Sequence, residues 1–426
     1  MTAAMRPRPL PAIEIFDPMR PGVLKDPYAA YRALRRHRPV AELEPLGIWV
    51  VSRYADAQRV LGDPDGFSAA LAFGKNATLL DDRGPVRRQL NLKFAGDAGG
   101  VVSSSDGEVH ARLRRAVARL LSKPRLDVVD PAIGAHVHRV IAALASRGEH
   151  VDIVEDLAKP VAAQSIGALM DLPENVVRVL AGWADLTARA LDPGDELSSV
   201  AAGPRVMRSN LASFRAVTAF LNAAARAAPG GPSGAAANGL ADSWREADTP
   251  AAREEVILAV LQLFQAGYET IVSAVCHLMA AFVIDRPRPP GFPAGPDLSG
   301  ALIEEGLRLA SPVRATLRTA VGPRTVGDVQ VPGGARLMVL IGSANRDGRV
   351  FEEPGTALAG RRPAHLAFGA GPHRCLGRML AHTELRHIIG ALAAATSRIS
   401  PVAGARVSAN ILKAGYEYLP VRVAWR

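Results

Sequence analysis

One uninterrupted helical pattern, which begins at Thr249-Pro250 and runs to about Asp285, constrains this chain more than any other feature. Threonine is a good N-cap, and proline at the first helical position gives up only an amide that has no partner there. At a rise of about 1.5 Å per residue the segment would span on the order of 50 Å, enough to cross a whole globular molecule. A chain assembled around such a strut is predicted to be mainly α-helical. Apolar residues recur three and four apart over 27 to 37, 107 to 122, 133 to 147, 153 to 170, 174 to 191 and 205 to 228. Strand candidates are short and few: Ile48 to Ser52, Thr316 to Val321, Arg336 to Ile341 and Leu419 to Ala424. The expected class is therefore mainly α with small β-sheets.

The length of 426 residues sets a prior of about three domains, which a large single fold overrides. Three stretches read as irregular: 71 to 104, 229 to 239 (PGGPSGAAANG) and the proline-rich 286 to 299. None is flanked by segments that resemble independent domains, so all are excursions from one fold over 1 to 426. With 48% hydrophobic and 22% charged residues the chain is ordinary for a globular protein and unlike a disordered one. Only Cys276 and Cys375 occur, which excludes a disulfide framework. The N-terminus lacks the apolar run of a signal peptide, and no stretch approaches about 18 uncharged apolar residues, so a cytoplasmic protein without a membrane partner is expected. The net charge of +10 is compatible with nucleic acid, an acidic membrane or an acidic protein, but the basic residues are scattered rather than gathered into runs.

The stretch that carries most chemistry is His365 to Glu384, HLAFGAGPHRCLGRMLAHTE. Phe368, Gly369, Gly371, Pro372 and Gly377 surround Cys375, and an apolar helical pattern follows. Glycines before the cysteine permit positive φ and close backbone approach to a flat ligand. A thiol at the mouth of a helix has its thiolate stabilised by amide N–H groups and the helix dipole. Read alone, the same pattern suits a buried structural cysteine. Zinc is disfavoured because only His373 lies near Cys375. No Lys-Ser or Lys-Thr follows the glycines, so they do not form a phosphate loop. A single thiolate offered from a glycine-lined loop suits haem iron.

Three further patterns stand in order along the chain. In Ala266-Gly267-Tyr268-Glu269-Thr270 the threonine can bond back to the carbonyl four residues earlier while Gly267 weakens the same turn, so a local distortion is expected. Glu305 and Arg308, three apart, can pair on one helix face. His110 and Arg114, four apart, can reach one anionic group together. Each also has an ordinary reading as a bent helix, a surface ion pair and a basic helix face.

Taken together, Phe368-x-x-Gly371-x-x-x-Cys375-x-Gly377 with His373, the Ala266 to Thr270 element, Glu305-x-x-Arg308 and His110-x-x-x-Arg114 resemble the cytochrome P450 family in its soluble bacterial form. The likeness extends to DPYAAYRALRRHRPV near the start and GYEYLPVRVAW at the end. It implies the cytochrome P450 fold over the whole chain and haem b, iron protoporphyrin IX, as cofactor. Cys375 would be the axial thiolate with Phe368 packed beside it, and Gly371 and Gly377 would let the loop and helix approach the porphyrin. His110, Arg114, Arg318 and His373 would hold the two propionates, and Ala266 and Gly267 would lie over the ring. Glu269 and Thr270 would relay protons to dioxygen, the co-substrate. Glu305 and Arg308 would brace the cysteine loop. This chain has Ala357 where the family commonly has an aromatic, which leaves the third partner of that brace undefined, with Arg361 as a substitute.

The implied reaction is the insertion of one oxygen atom into a small organic substrate, a hydroxylation or related oxidation of the kind used in natural-product tailoring or catabolism. Electrons would come from ferredoxin and ferredoxin reductase, docked where Arg112, Arg115, Arg119, Arg374 and Arg378 are expected to cluster. Substrate contacts are expected from 71 to 104, from Val260 and Leu263, from Val313 to Leu317 and around Tyr416 to Tyr418. Arg83, Arg87 and Arg88 could clamp an anionic substrate or simply face solvent. A haem-binding sensor or carrier without oxygenase activity is the alternative, against which Glu269 and Thr270 speak. A nucleic-acid binder rests on charge alone.

Overall fold

The computed structural model describes residues 11–44, 46–73, 101–189, 203–226, 235–284, 296–358 and 364–426. Its longest element is the helix Pro250–Leu278, capped by Thr249, whose side chain accepts a hydrogen bond from the Ala252 amide at 3.1 Å. After Leu278 the helix widens into a π-type turn, Met279–Val283, close to the expected end. Ile257, Val260, Leu261, Phe264, Tyr268 and Ile271 are buried along it, and the helices Lys159–Leu169, Glu174–Arg189 and Pro296–Ala310 pack against it. This helix and Lys123–Arg147 are long and apolar enough to cross a membrane by length and composition, contrary to the sequence expectation. Both contribute to the largest apolar core cluster.

The predicted helices are present with shifted ends. The one expected from 133 starts at Lys123, because Ser122 opens it and Pro124 occupies the first turn, where a missing amide costs nothing. The one expected over 153 to 170 begins with a π-type turn, Ile153–Ala158, before Lys159–Leu169. The glycine-rich stretch 229 to 239 is shorter than expected, since its alanines start a helix, Ala235–Glu246, that buries Trp244. A helix also begins at Pro296, inside the proline-rich stretch.

The main sheet contains β1 (Val40–Leu43), β2 (Ile48–Val51), β3 (Phe67–Ser68), β4 (Thr316–Ala320) and β5 (Arg336–Val339) in the order β1-β2-β5-β4-β3. The β2 and β5 pair is parallel, with Ile48 opposite Arg336 and Val51 opposite Val339, and the other pairs are antiparallel. Alternation along the strands divides the apolar residues between two clusters. Leu317 and Met338 face one, and Leu337 and Val339 face the other. On β4 the same alternation turns Thr316 and Arg318 away from Leu317 and into the cavity described below. The C-terminal strand Pro420–Trp425 pairs antiparallel with His150–Asp152 and Thr396–Pro401.

Candidate active site

A cavity of about 370 Å³ lies between the long helix and the cysteine loop. Cys375, Phe368, Gly377 and Leu380 line it from the loop and the helix Arg378–Ala395, and Leu263, Ala266, Gly267 and Thr270 from the long helix. Gly369 and Gly371 have φ of 69° and 66°, which side chains rarely adopt. A Cβ at Gly371 would collide with the Leu61 carbonyl, so this glycine lets the loop meet the Tyr54–Gly62 helix, a use not anticipated from sequence. Gly377 stands directly at the sulfur, since a Cβ there would lie 3.8 Å from Cys375 Sγ. The Cys375 amide donates to the Phe368 carbonyl at 2.8 Å and closes the loop. Burial raises the Cys375 pKa, while the amides of Gly377 and Arg378 and the charge of Arg114 oppose that rise by favouring the thiolate.

The four groups predicted to bind propionates converge beside this loop. Arg114, Arg318 and His373 line the cavity, and the buried His110 ring lies 4.1 Å from the His373 ring. Arg114 donates to the Arg374 carbonyl at 2.7 Å, and Arg318 to the Leu317 carbonyl at 2.7 Å. His373 is pushed down to about 4, first by burial and then by the positive charges of Arg318 and His110; burial and Arg114 also lower His110. The Asp106 carboxylate is 3.7 Å from His373. It is already engaged by the Ser68 hydroxyl and by the Ala69 and Ala70 amides, which hold it ionised against the cost of burial.

On the long helix Thr270 Oγ1 donates to the Ala266 carbonyl at 2.6 Å, as expected. Gly267 is in contact range of Ile166, where a Cβ would press on its side chain. Glu269 is not among the lining residues. Its carboxylate pairs with Lys413 and accepts from Gln265 Nε2 at 2.9 Å, so it stands in a polar network with those two side chains.

Glu305 and Arg308 form a fully buried bidentate pair. Arg308 also donates to the carbonyls of Asn345 and Pro354, both at 2.8 Å, and of Thr356 at 3.2 Å. Backbone oxygens thus complete the brace, whereas Arg361 lies outside the described residues. Asn345 Oδ1 accepts from the Leu366 amide at 2.7 Å, which connects the brace to the start of the cysteine loop.

Among the expected substrate contacts, Leu263, Val313 and Thr316 line the cavity, but Val260 is in the core and Tyr416 packs on His277. Arg83, Arg87 and Arg88 lie outside the described residues. Sequence reasoning missed Gln262. Its Nε2 donates to Ser103 Oγ at 2.6 Å and its Oε1 accepts from the Val102 amide at 3.0 Å, which clamps the turn Val102–Ser104 over the cavity. A signal was present, because Gln262, Ala266 and Thr270 are spaced four apart on one helix face. Of the expected arginine cluster, Arg115, Arg119 and Arg374 are exposed, but Arg112 pairs with Glu255 and Arg378 with Glu304.

Comparison with known proteins agrees with this geometry. The sequence model of the family described as Cytochrome P450 matches residues 298–393. The chain is 27% identical over 412 residues to cytochrome P450 CYP199A2 of Rhodopseudomonas palustris, covering 96% of this chain and 93% of that one. It is 28% identical over 373 residues to the cytochrome P450 monooxygenase PikC of Streptomyces venezuelae, covering 86% and 83%. The crystal structure of CalO2 superposes with a TM-score of 0.78 at 25% identity, over 96% of this chain and 98% of that one. The chain belongs to the cytochrome P450 family. It is accordingly a haem monooxygenase that acts on small organic substrates with electrons from a redox partner.

The residues present fit that cofactor. A dianion beside Arg114, Arg318, His110 and His373 would be favoured by all four, and His110 Nε2 is a buried donor or acceptor with no hydrogen-bond partner among the described residues. The remaining wall is mostly apolar, with Val117, Leu121, Ile166, Leu307 and Leu380 among its residues, as a flat hydrophobic ring requires, and Ser103, Gln262, Thr316 and Glu384 add polar groups to it.

Proposed function

We propose that Cys375 is the axial thiolate of haem b and that the chain, 1 to 426 as one domain, inserts one atom of dioxygen into a small, largely apolar substrate. The observation that carries this reading is that Cys375 and Thr270 line the same apolar cavity from opposite elements. When bound, the haem-thiolate supplies dioxygen activation and O–O cleavage. The protein's part is to bind, orient and deliver protons. Arg114, Arg318, His110 and His373 would hold the propionates; Phe368, Gly371 and Gly377 shape the loop beside the sulfur; Ala266 and Gly267, on the long helix, would contact the cofactor from the cavity wall. Thr270 Oγ1 is the hydroxyl that passes a proton into the cavity, and Glu269 is the ionisable group behind it.

The electron donor in this reading is an acidic ferredoxin, reduced by its reductase, that docks near the exposed Arg115, Arg119 and Arg374. A cytoplasmic location belongs to the same proposal, supported by both long apolar helices contributing to the core. The test is a screen of small molecules for the spectral change of haem on substrate binding, followed by product analysis. One oxygenated product per electron pair is expected, with most reducing equivalents diverted from product in Thr270→Val. Electron consumption that never yields an oxygenated product from any bound compound would overturn it.

A further inference from the structure

A cluster centred on Glu304 meets the cysteine loop. Glu304, on the Pro296–Ala310 helix, has Oε2 2.7 Å from His365 Nε2 and Oε1 2.9 Å from His382 Nε2. Arg378 Nη2 lies 2.8 Å from the same Oε1. The three partners surround one ring: His365 and His382 lie 5.9 and 5.8 Å from Phe368, both tilted, and the Arg378 guanidinium lies 5.6 Å from its centroid. Phe368 in turn accepts the hydrogen bond from the Cys375 amide.

The tautomer of His365 follows from its surroundings. Its Nδ1 accepts from the Ala367 amide at 3.1 Å, so the proton of the neutral ring is on Nε2, the nitrogen that lies beside Glu304. One carboxylate therefore stands within ion-pair distance of two imidazoles and accepts from a guanidinium, all three around the aromatic side chain beside the sulfur. The His365 side chain is 2% exposed and that of Glu304 17%, which gives the arrangement little freedom.

We propose that Glu304, through His365 and His382, is a positioning residue that holds Phe368 against the Cys375 loop and so sets the solvent access and redox behaviour of the ligated sulfur. The hydrophobic shell around a metal ligand controls dielectric and hydrogen bonding at that ligand, and with them its potential. Released from the clamp, Phe368 admits water to the thiolate, which weakens its donation and raises the ferric to ferrous midpoint. The proposal rests on the haem-thiolate reading above.

A double-mutant cycle tests it in the haem-loaded protein, with Glu304→Gln and Phe368→Leu alone and combined. The readouts are the midpoint potential and the lifetime of the red-shifted Soret band of the reduced carbon monoxide complex. Glu304→Gln is expected to raise the midpoint and shorten that lifetime severalfold, and to do neither once Phe368 is leucine. Equal effects in both backgrounds would mean that the charge acts directly through space and would overturn the proposal, as would no effect in either. His382→Asn, at a side chain 27% exposed, repeats the cycle should the Glu304 variant fail to accumulate. A wild-type protein without the red-shifted band would instead refute thiolate ligation itself.

Discussion

The Arg308 guanidinium meets the Glu305 carboxylate edge to edge, with Nε and Nη2 each 2.7 Å from a different oxygen and no exposed surface on either side chain. The remaining Arg308 donors reach three backbone carbonyls in 345 to 356. Removing the carboxylate alone would leave a buried cation without its counter-charge. Glu305→Gln is expected to destabilise the protein by about 3–5 kcal/mol, measured as a fall in the urea midpoint. A change within the error of the wild-type midpoint would contradict the brace.

Glu384 supplies a pH test. It is fully buried, and burial raises its pKa well above the ordinary carboxylate value, with the Ser165 hydroxyl opposing. A group raised on folding contributes its stability below its unfolded pKa, about 4.3, and loses it as pH rises toward the folded value. Glu384→Gln removes that dependence. The variant should therefore gain Tm relative to wild type steadily between pH 5 and 8 (on the order of the range over which proteins are stable), and parallel Tm profiles would refute the buried neutral acid.

Gln262→Leu should release the turn Val102–Ser104 by removing two hydrogen bonds worth on the order of 1 kcal/mol each. Affinity for a binder found by the spectral screen should fall by up to about tenfold, since 1.4 kcal/mol is one decade. Unchanged affinity across several binders would show that the clamp does not shape the cavity.

Reduction by the electron donor should slow as salt rises, through association rather than through the electron-transfer step. Arg115→Glu and Arg119→Glu, both at exposed positions, should each slow it severalfold at low ionic strength. A rate indifferent to both salt and charge reversal would place docking elsewhere.

How much of this was legible in the sequence depended on the kind of signal. Thr249-Pro250 and the four-residue spacing of Ala266 and Thr270 are local, and local chemistry fixes them: the cap and the back-bond are both present. The carbonyl partners of Arg308 could not be read, because they belong to backbone that only tertiary packing brings 37 to 48 residues back to it. Gly371 shows the same limit. Its positive φ was readable, but its neighbour, the Leu61 carbonyl, comes from the far end of the chain. Glu269 was placed by type and spacing, while its pairing with Lys413 depends on where the C-terminal segment crosses the long helix.

The central claim is that the Cys375 sulfur ligates haem iron, and the most direct measurement is the absorption spectrum of the reduced protein under carbon monoxide. Wild type is predicted to show the Soret band displaced to the red that thiolate ligation produces, and Cys375→Ser to lose it while still binding the porphyrin. A wild-type spectrum without that displacement, or its persistence in Cys375→Ser, would contradict the account.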